Sequence, residues 1–296
     1  MAASWQLDSS TALDLDRPRL MGILNVTPDS FSDGGNYDSV SSAVDRAMQM
    51  CHEGADLIDI GGESTRPGSD RVAAAEQINR VVPVIKAIRG RTPVPLSVDT
   101  TLAEVAAAAL EAGANVINDV SAGQEDSELF PLAAERQCGL ILMHRLRPPG
   151  EDSYSTSYEQ PPEYGDVVGE VAAFLVSRAQ EAQAAGVRAD SLVVDPGLGF
   201  GKSVDQNWDL IHGSSQLSDC GYPVLGAASR KSFLERLCGP EVAPVDRGPA
   251  SVMASIIQYR GGLRLFRVHD VALHAAGLGQ AESRERGSSG PSPALL

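Results

Sequence analysis

Eight short apolar runs recur along the chain, each followed by a longer Ala-rich amphipathic stretch. This alternation constrains the fold more than any other feature. The runs are RLMGILN (19–25), ADLIDIGG (55–62), VPLSVDT (94–100), ANVINDV (114–120), GLILMH (139–144), SLVVDPG (191–197), YPVLGAAS (222–229) and RLFRVHDV (264–271). Helical patterns fill the intervals at 39–53, 73–89, 102–112, 126–137, 163–185, 203–217, 230–238 with 246–260, and from 270 onward. EVAAAALEAGA strings together strong helix formers, and Gly113 follows as a stop. Parallel strands need crossover connections, so the alternation predicts a parallel sheet. Eight units in 296 residues favour closure into a single (β/α)8 TIM barrel, an α/β fold, over an open doubly wound sheet. The predicted organisation is an N-terminal extension over 1–18, the barrel over 19–280, and a disordered tail over 281–296 that is rich in Ser, Gly and Pro.

Nearly every run ends in residues suited to recognition: Asn25; Glu63, Ser64, Thr65 and Arg66; Asp99; Asn118; His144; Asp195; Ser229, Arg230 and Lys231; Arg267, His269 and Asp270. In a barrel these strand ends share one rim, where active sites are built. A single Asp after a strand is more often a helix cap, and Asp99 and Asp119 are each open to that reading. Eight strands ending alike are harder to read as caps. Asp99, Asn118 and Asp195 suit a donor-rich heterocycle, because carboxylates accept paired hydrogen bonds and an amide both donates and accepts. Arg66, Lys202, Arg230, Lys231, Arg267 and His269 suit an anion such as pyrophosphate or a carboxylate. NVTPDSFSDGGNYDS and GGESTRPGSD, rich in turn formers and hydroxyls, read as lids. DPGLGFGKS lacks P-loop spacing and G-x-G-x-x-G is absent, which argues against a Walker-type NTPase and a Rossmann site.

The formal charge of -15 makes a duplex or an anionic membrane surface a poor partner. No apolar run approaches the roughly 20 residues of a membrane span, and the N-terminus has neither a basic start nor a signal-type apolar stretch. The four cysteines include no C-x-x-C pair, so they suggest no zinc site and read as core residues of a reducing, cytoplasmic compartment.

NVTPDSFSDGG, IDIGGESTRPG, SVDT, VINDVS, DPGLGFGK, ASRKSF and RVHDV, in that order within residues 19–272, resemble the motif set of the dihydropteroate synthase family of the folate pathway. The resemblance implies a (β/α)8 barrel that condenses 6-hydroxymethyl-7,8-dihydropterin pyrophosphate with 4-aminobenzoate, giving 7,8-dihydropteroate and pyrophosphate with Mg²⁺. It implies Asp99, Asn118, Asp195, Lys231 and Arg267 as pterin-binding residues, with Asp99 also stabilising a pterin cation. It implies Asn25, Arg267 and His269 as the pyrophosphate pocket, with Asn25 touching the metal. Thr65, Arg66, Pro67, Phe200, Lys231 and Ser232 match the aminobenzoate site, where sulfonamides bind in that family. Asp33, a catalytic candidate beside Asp99 and Lys231, sits with Phe31 on the loop that closes over the pyrophosphate. A cytoplasmic homodimer with small-molecule substrates and no nucleic-acid or membrane partner is the implied state.

One segment departs from the family pattern. MHRLRPPGEDSYSTSYEQPPEYGDVV replaces a short Met-rich, Gly-containing loop, which leaves His144 and Arg145 unassigned. Among rival readings, a pterin-binding methyltransferase needs neither STRPG nor SRKSF, and a non-catalytic paralogue typically loses loop residues that are all present here. A purely structural barrel would not need charged groups on so many strand ends.

Overall fold

The computed structural model describes residues 4–27 and 36–288. The chain opens with a small antiparallel hairpin, β1 (Ser4–Gln6) and β2 (Ala12–Asp14). The eight apolar runs then form β3 (Arg19–Asn25), β4 (Leu57–Gly61), β5 (Leu96–Asp99), β6 (Val116–Asp119), β7 (Gly139–Met143), β8 (Leu192–Asp195), β9 (Leu225–Gly226) and β10 (Leu265–Val268). Between them lie α1 (Asn36–Glu53), α2 (Ala74–Arg89), α3 (Ala103–Ala112), α4 (Leu129–Arg136), α5 (Val167–Ala184), α6 (Val204–His212), α7 (Ser214–Ser218), α8 (Glu235–Cys238) and α9 (Gly248–Arg260), and α10 (Val271–Ser288) follows the last strand.

The strands are all parallel, in the order β8-β7-β6-β5-β4-β3-β10-β9. The ring closes between β8 and β9 through a parallel bridge of Val194 with Val224 and a 3.0 Å bond from Val194 N–H to the Pro223 carbonyl. The fold is the expected (β/α)8 barrel.

Strand periodicity divides the side chains between two environments. On β4, Ile58 and Ile60 join the large apolar layer between strands and helices. Leu57 and Asp59 point the other way, and Leu57 joins Met21, Val116, Ile141, Val193, Leu225 and Leu265 inside the barrel. Trp5, Leu7, Leu13 and Leu15 of the N-terminal segment belong to the same inner cluster. Trp5 is fully buried, its Nε1–H donates to the Ser191 carbonyl at 2.9 Å, and Gly139 N–H donates to the Leu7 carbonyl at 2.7 Å. Gly139 lets the two segments approach, because a Cβ would crowd Val116 Cγ2 at 3.0 Å and the Trp5 ring at 3.2 Å. Trp5 to Leu15 of the predicted extension thus plug the barrel's lower mouth.

α10 continues to Ser288, past residue 281 where composition predicts the tail to begin. Leu278 and Ala281 pack into the outer core, and a Glu282–Arg286 pair at 2.8 Å supports the next turn.

Candidate active site

The cleft lies at the carboxyl ends of the strands, and its floor is set by register. Asn25, Gly61, Asp99 and Asn118 stand level across β3, β4, β5 and β6. Arg267 reaches over from β10. Its Nε donates to Asp59 Oδ2 at 2.6 Å and its Nη2 to Asp99 Oδ2 at 2.7 Å. Asn118 Nδ2 donates to the same Asp59 oxygen at 3.1 Å. Both carboxylates are buried, and the second oxygen of each accepts no hydrogen bond among the described residues. Burial raises the Asp99 pKa to about 7, Arg267 opposes that rise, and the neighbouring charge of Asp59 adds to it. The floor therefore presents acceptors held by one guanidinium, as a ring rich in N–H donors requires.

The wall opposite is built from the segment after β8 and the one after β9. Asp195 Oδ1 accepts the Gly197 N–H at 2.7 Å. Gly197 has φ +65° and an added Cβ would fall 1.8 Å from the His144 carbonyl oxygen, so only glycine fits this turn. Ser203 then starts α6 with a capping box, exchanging bonds with Gln206. Phe200 is buried, with Lys231 Nζ 4.1 Å from its ring centre. Arg230 adopts φ 62°, a left-handed conformation uncommon outside glycine, and its N–H is held by Ser251 Oγ at 3.0 Å. This kink precedes Lys231, which lines the cleft with Thr65, Asn118, Asp195 and Arg267. Burial, then the nearby Arg267 charge, lowers the Lys231 pKa to about 8.

A third corner is cationic. His269 Nδ1 lies 3.0 Å from Ser229 Oγ, and Arg46 donates to the His269 carbonyl at 3.0 Å. Burial, followed by the charges of Arg230, Arg267, Lys231 and Arg66, holds the His269 pKa well below the usual range. A neutral imidazole surrounded by four cations marks a place where an anion is favoured.

Residues 21–269 match the family model described as pterin binding enzyme. The dihydropteroate synthase of Streptococcus pyogenes serotype M1 is 46% identical over 252 residues, covering 85% of this chain and 90% of that protein. That of Mycobacterium leprae is 43% identical over 257 residues, covering 86% and 88%. Among solved structures, Xanthomonas albilineans dihydropteroate synthase with 4-aminobenzoic acid superposes with a TM-score of 0.86 at 40% identity, covering 98% of this chain and 100% of that one. Its complex with 7,8-dihydropteroate gives 0.83 at 38%, covering 97% and 100%.

The chain belongs to the dihydropteroate synthases.

The residues that the family resemblance singles out do not all stand alike. Asp99, Asn118, Asp195, Lys231, Arg267, Thr65 and Phe200 come together at the cleft. Asn25 is exposed on its rim, and an added Cβ on Gly61 would lie 3.7 Å from Asn25 Oδ1 and 3.6 Å from Asp99 Cβ. Arg66 is exposed on the loop after β4, Pro67 is half-buried beside it, and Ser232 is half-buried in the turn after Lys231. Asp33 and Phe31 lie outside the described residues. The two cap candidates separate: Asp119 accepts from Ser121 N–H and Oγ at 2.7 Å and from Gly123 N–H, whereas Asp99 binds Arg267.

Lys202 is not an anion-binding cation. Its Nζ is fully buried, donating to the Gly197 and Phe200 carbonyls at 3.0 and 2.8 Å and contacting His144 Nδ1 at 2.9 Å. It stiffens the segment that carries Phe200. Asp59 is the residue that the sequence reading passed over. Its signal was present: an acid in the middle of an apolar strand, with the inward parity of Leu57.

Proposed function

We propose that this cleft carries out the dihydropteroate synthase reaction with the following division of labour. The observation that carries the reading is the Arg267 guanidinium bridging the buried carboxylates of Asp59 and Asp99. Asp99, Asn118 and Asp195 bind the N–H edge of the pterin, Lys231 donates to a ring acceptor, and Arg267 stacks on the ring while facing the phosphates. The C–O bond to pyrophosphate breaks first. Positive charge then grows on the pterin methylene, facing Asp99, which is fixed in place before the charge forms. Arg267, His269 and Asn25 retain the leaving pyrophosphate. The 4-aminobenzoate nitrogen, delivered by Thr65, Arg66, Pro67, Phe200, Lys231 and Ser232, forms the new C–N bond and loses its proton.

Among the described residues no group of three or more His, Cys, Asp or Glu side chains could hold a metal ion. The Asn25 amide oxygen at the rim fits Mg²⁺ in the manner that ion prefers, through one protein oxygen, waters and substrate phosphates. Asn25 would hold Mg²⁺ there, and the ion would supply positive charge beside the phosphate oxygens. A reducing cytoplasm suits the four cysteines, all of which are free. No helix among the described residues is long and apolar enough to cross a membrane. A homodimer is supported by the exposed apolar side chains of Leu237, Val245, Met253 and Leu273 around α8, α9 and α10.

Purified protein mixed with dihydropterin pyrophosphate, 4-aminobenzoate and Mg²⁺ should release pyrophosphate and dihydropteroate in equal amounts. Pterin binding without either product would overturn this reading.

A further inference from the structure

The loop between β4 and α2 carries Thr65, Arg66 and Pro67, and its far side is fastened to neighbouring loops. Gly68 N–H donates to the Pro149 carbonyl at 2.9 Å. Arg71 Nη2 lies 2.8 Å from Glu125 Oε2 and 3.1 Å from Thr101 Oγ1. Glu125 also accepts from the Thr101 hydroxyl at 2.5 Å and pairs with Arg145. One carboxylate therefore joins four successive strand-to-helix loops: Arg71 after β4, Thr101 after β5, Glu125 itself after β6, and Arg145 after β7. Arg145 and Pro149 both belong to the segment that departs from the family motifs.

We propose that Glu125 and Arg145 are positioning residues that hold the β4–α2 loop in the arrangement that receives the arylamine. The extended segment after β7 thereby sets affinity for 4-aminobenzoate rather than the speed of the chemical step. This inference rests on the assignment of that loop under Proposed function. Its physical basis is charge geometry. The Arg145 side chain is only 5% exposed, so its guanidinium needs a partner close by. Glu125 lies between the Arg71 and Arg145 guanidiniums. Without its carboxylate, Arg71 and Arg145 face each other unneutralised. Arg71, whose side chain is 45% exposed, then keeps as an ion pair only the longer 3.5 Å pairing with Glu63 of its own loop, which ties it to no neighbouring loop. Glu63, Thr65, Arg71, Thr101 and Pro149 line one cavity, so a shift of the loop reshapes the space next to Thr65. The pterin floor is held separately, by Arg267 on Asp59 and Asp99.

The test is steady-state kinetics of Glu125→Gln, Arg145→Met and Arg71→Gln against the wild-type protein. Each variant should raise the KM for 4-aminobenzoate about tenfold or more, because a loop that must be ordered on binding lowers affinity. The kcat and the KM for the pterin substrate should stay within about twofold. Arg71→Gln combined with Glu125→Gln should be no worse than the stronger single change, because both break one link. An unchanged arylamine KM in all three variants would overturn the proposal, as would a joint fall in kcat and rise in both KM values. If Arg145→Met does not fold, the half-exposed Arg71→Gln still decides the matter. A wild-type protein that makes no dihydropteroate sinks the functional assignment and this inference with it. A competent wild type with unmoved variants sinks only the inference.

Discussion

The two ends of the barrel are made by the same strands and could hardly differ more. At the lower end the inward positions are Met21, Leu57, Val116, Ile141, Val193, Leu225 and Leu265, sealed by Trp5, Leu7, Leu13 and Leu15. Near the upper end the inward positions become Asp59, Asp99, Asn118, Asp195 and Arg267. Two residues along a strand separate Leu57 from Asp59, Leu265 from Arg267 and Val193 from Asp195. Burial is similar at the two ends; what changes is how it is satisfied. Apolar side chains need only contact, whereas buried charges need partners placed by register. The lower end is therefore a stability element and the upper end a recognition element, as the barrel's general division of labour requires.

Trp5→Ala probes the difference most severely. It removes the largest side chain of the plug and should cost about 3–5 kcal/mol of folding stability, with kcat per folded molecule unchanged. Denaturant titration alongside an active-site count would check this, and a loss of kcat in the folded fraction would break the separation of the two ends. Asp99→Asn and Lys231→Ala should do the reverse, lowering turnover by about 10²–10³-fold while the fold is retained. Near wild-type initial rates in either variant would refute the site assignment.

Asp59→Asn sharpens the comparison at the boundary between the layers. It weakens the charged bond that holds Arg267 and should reduce kcat/KM for the pterin substrate by about tenfold to a hundredfold. Arg267 held equally well by Asp99 alone would leave this constant unmoved.

The smallest effect is on pH dependence. The proposed mechanism calls for the ionised form of Asp99, whose pKa is raised to about 7, so the rate should climb as pH rises through that value. The same mechanism calls for the protonated form of Lys231, whose pKa is lowered to about 8, so the rate should decline above it. Lys231→Arg should shift the alkaline limb upward, because guanidinium keeps its proton. An alkaline limb that stays in place would assign it to another group.

The sequence by itself determined the eight units, because strand and helix periodicities are local and each apolar run is found as a strand in its expected place. It also pointed to the end that carries chemistry, since carboxylates, amides and cations suited to one ligand recur where the runs end. Asp99 and Asp119 show where that reading ends. Both follow a strand in similar fashion, yet one caps a turn through Ser121 and Gly123 and the other meets Arg267, which lies far away in sequence. Lys202 was legible as a cation near the rim, but its inward turn onto the Gly197 and Phe200 carbonyls was not. The Arg267–Asp59 bond spans 208 positions, and the Glu125 junction draws on four separate loops. Such partners are chosen by how the strands stagger when the sheet closes on itself. Closure is a property of all eight strands together, so only the tertiary structure decided which charges would meet.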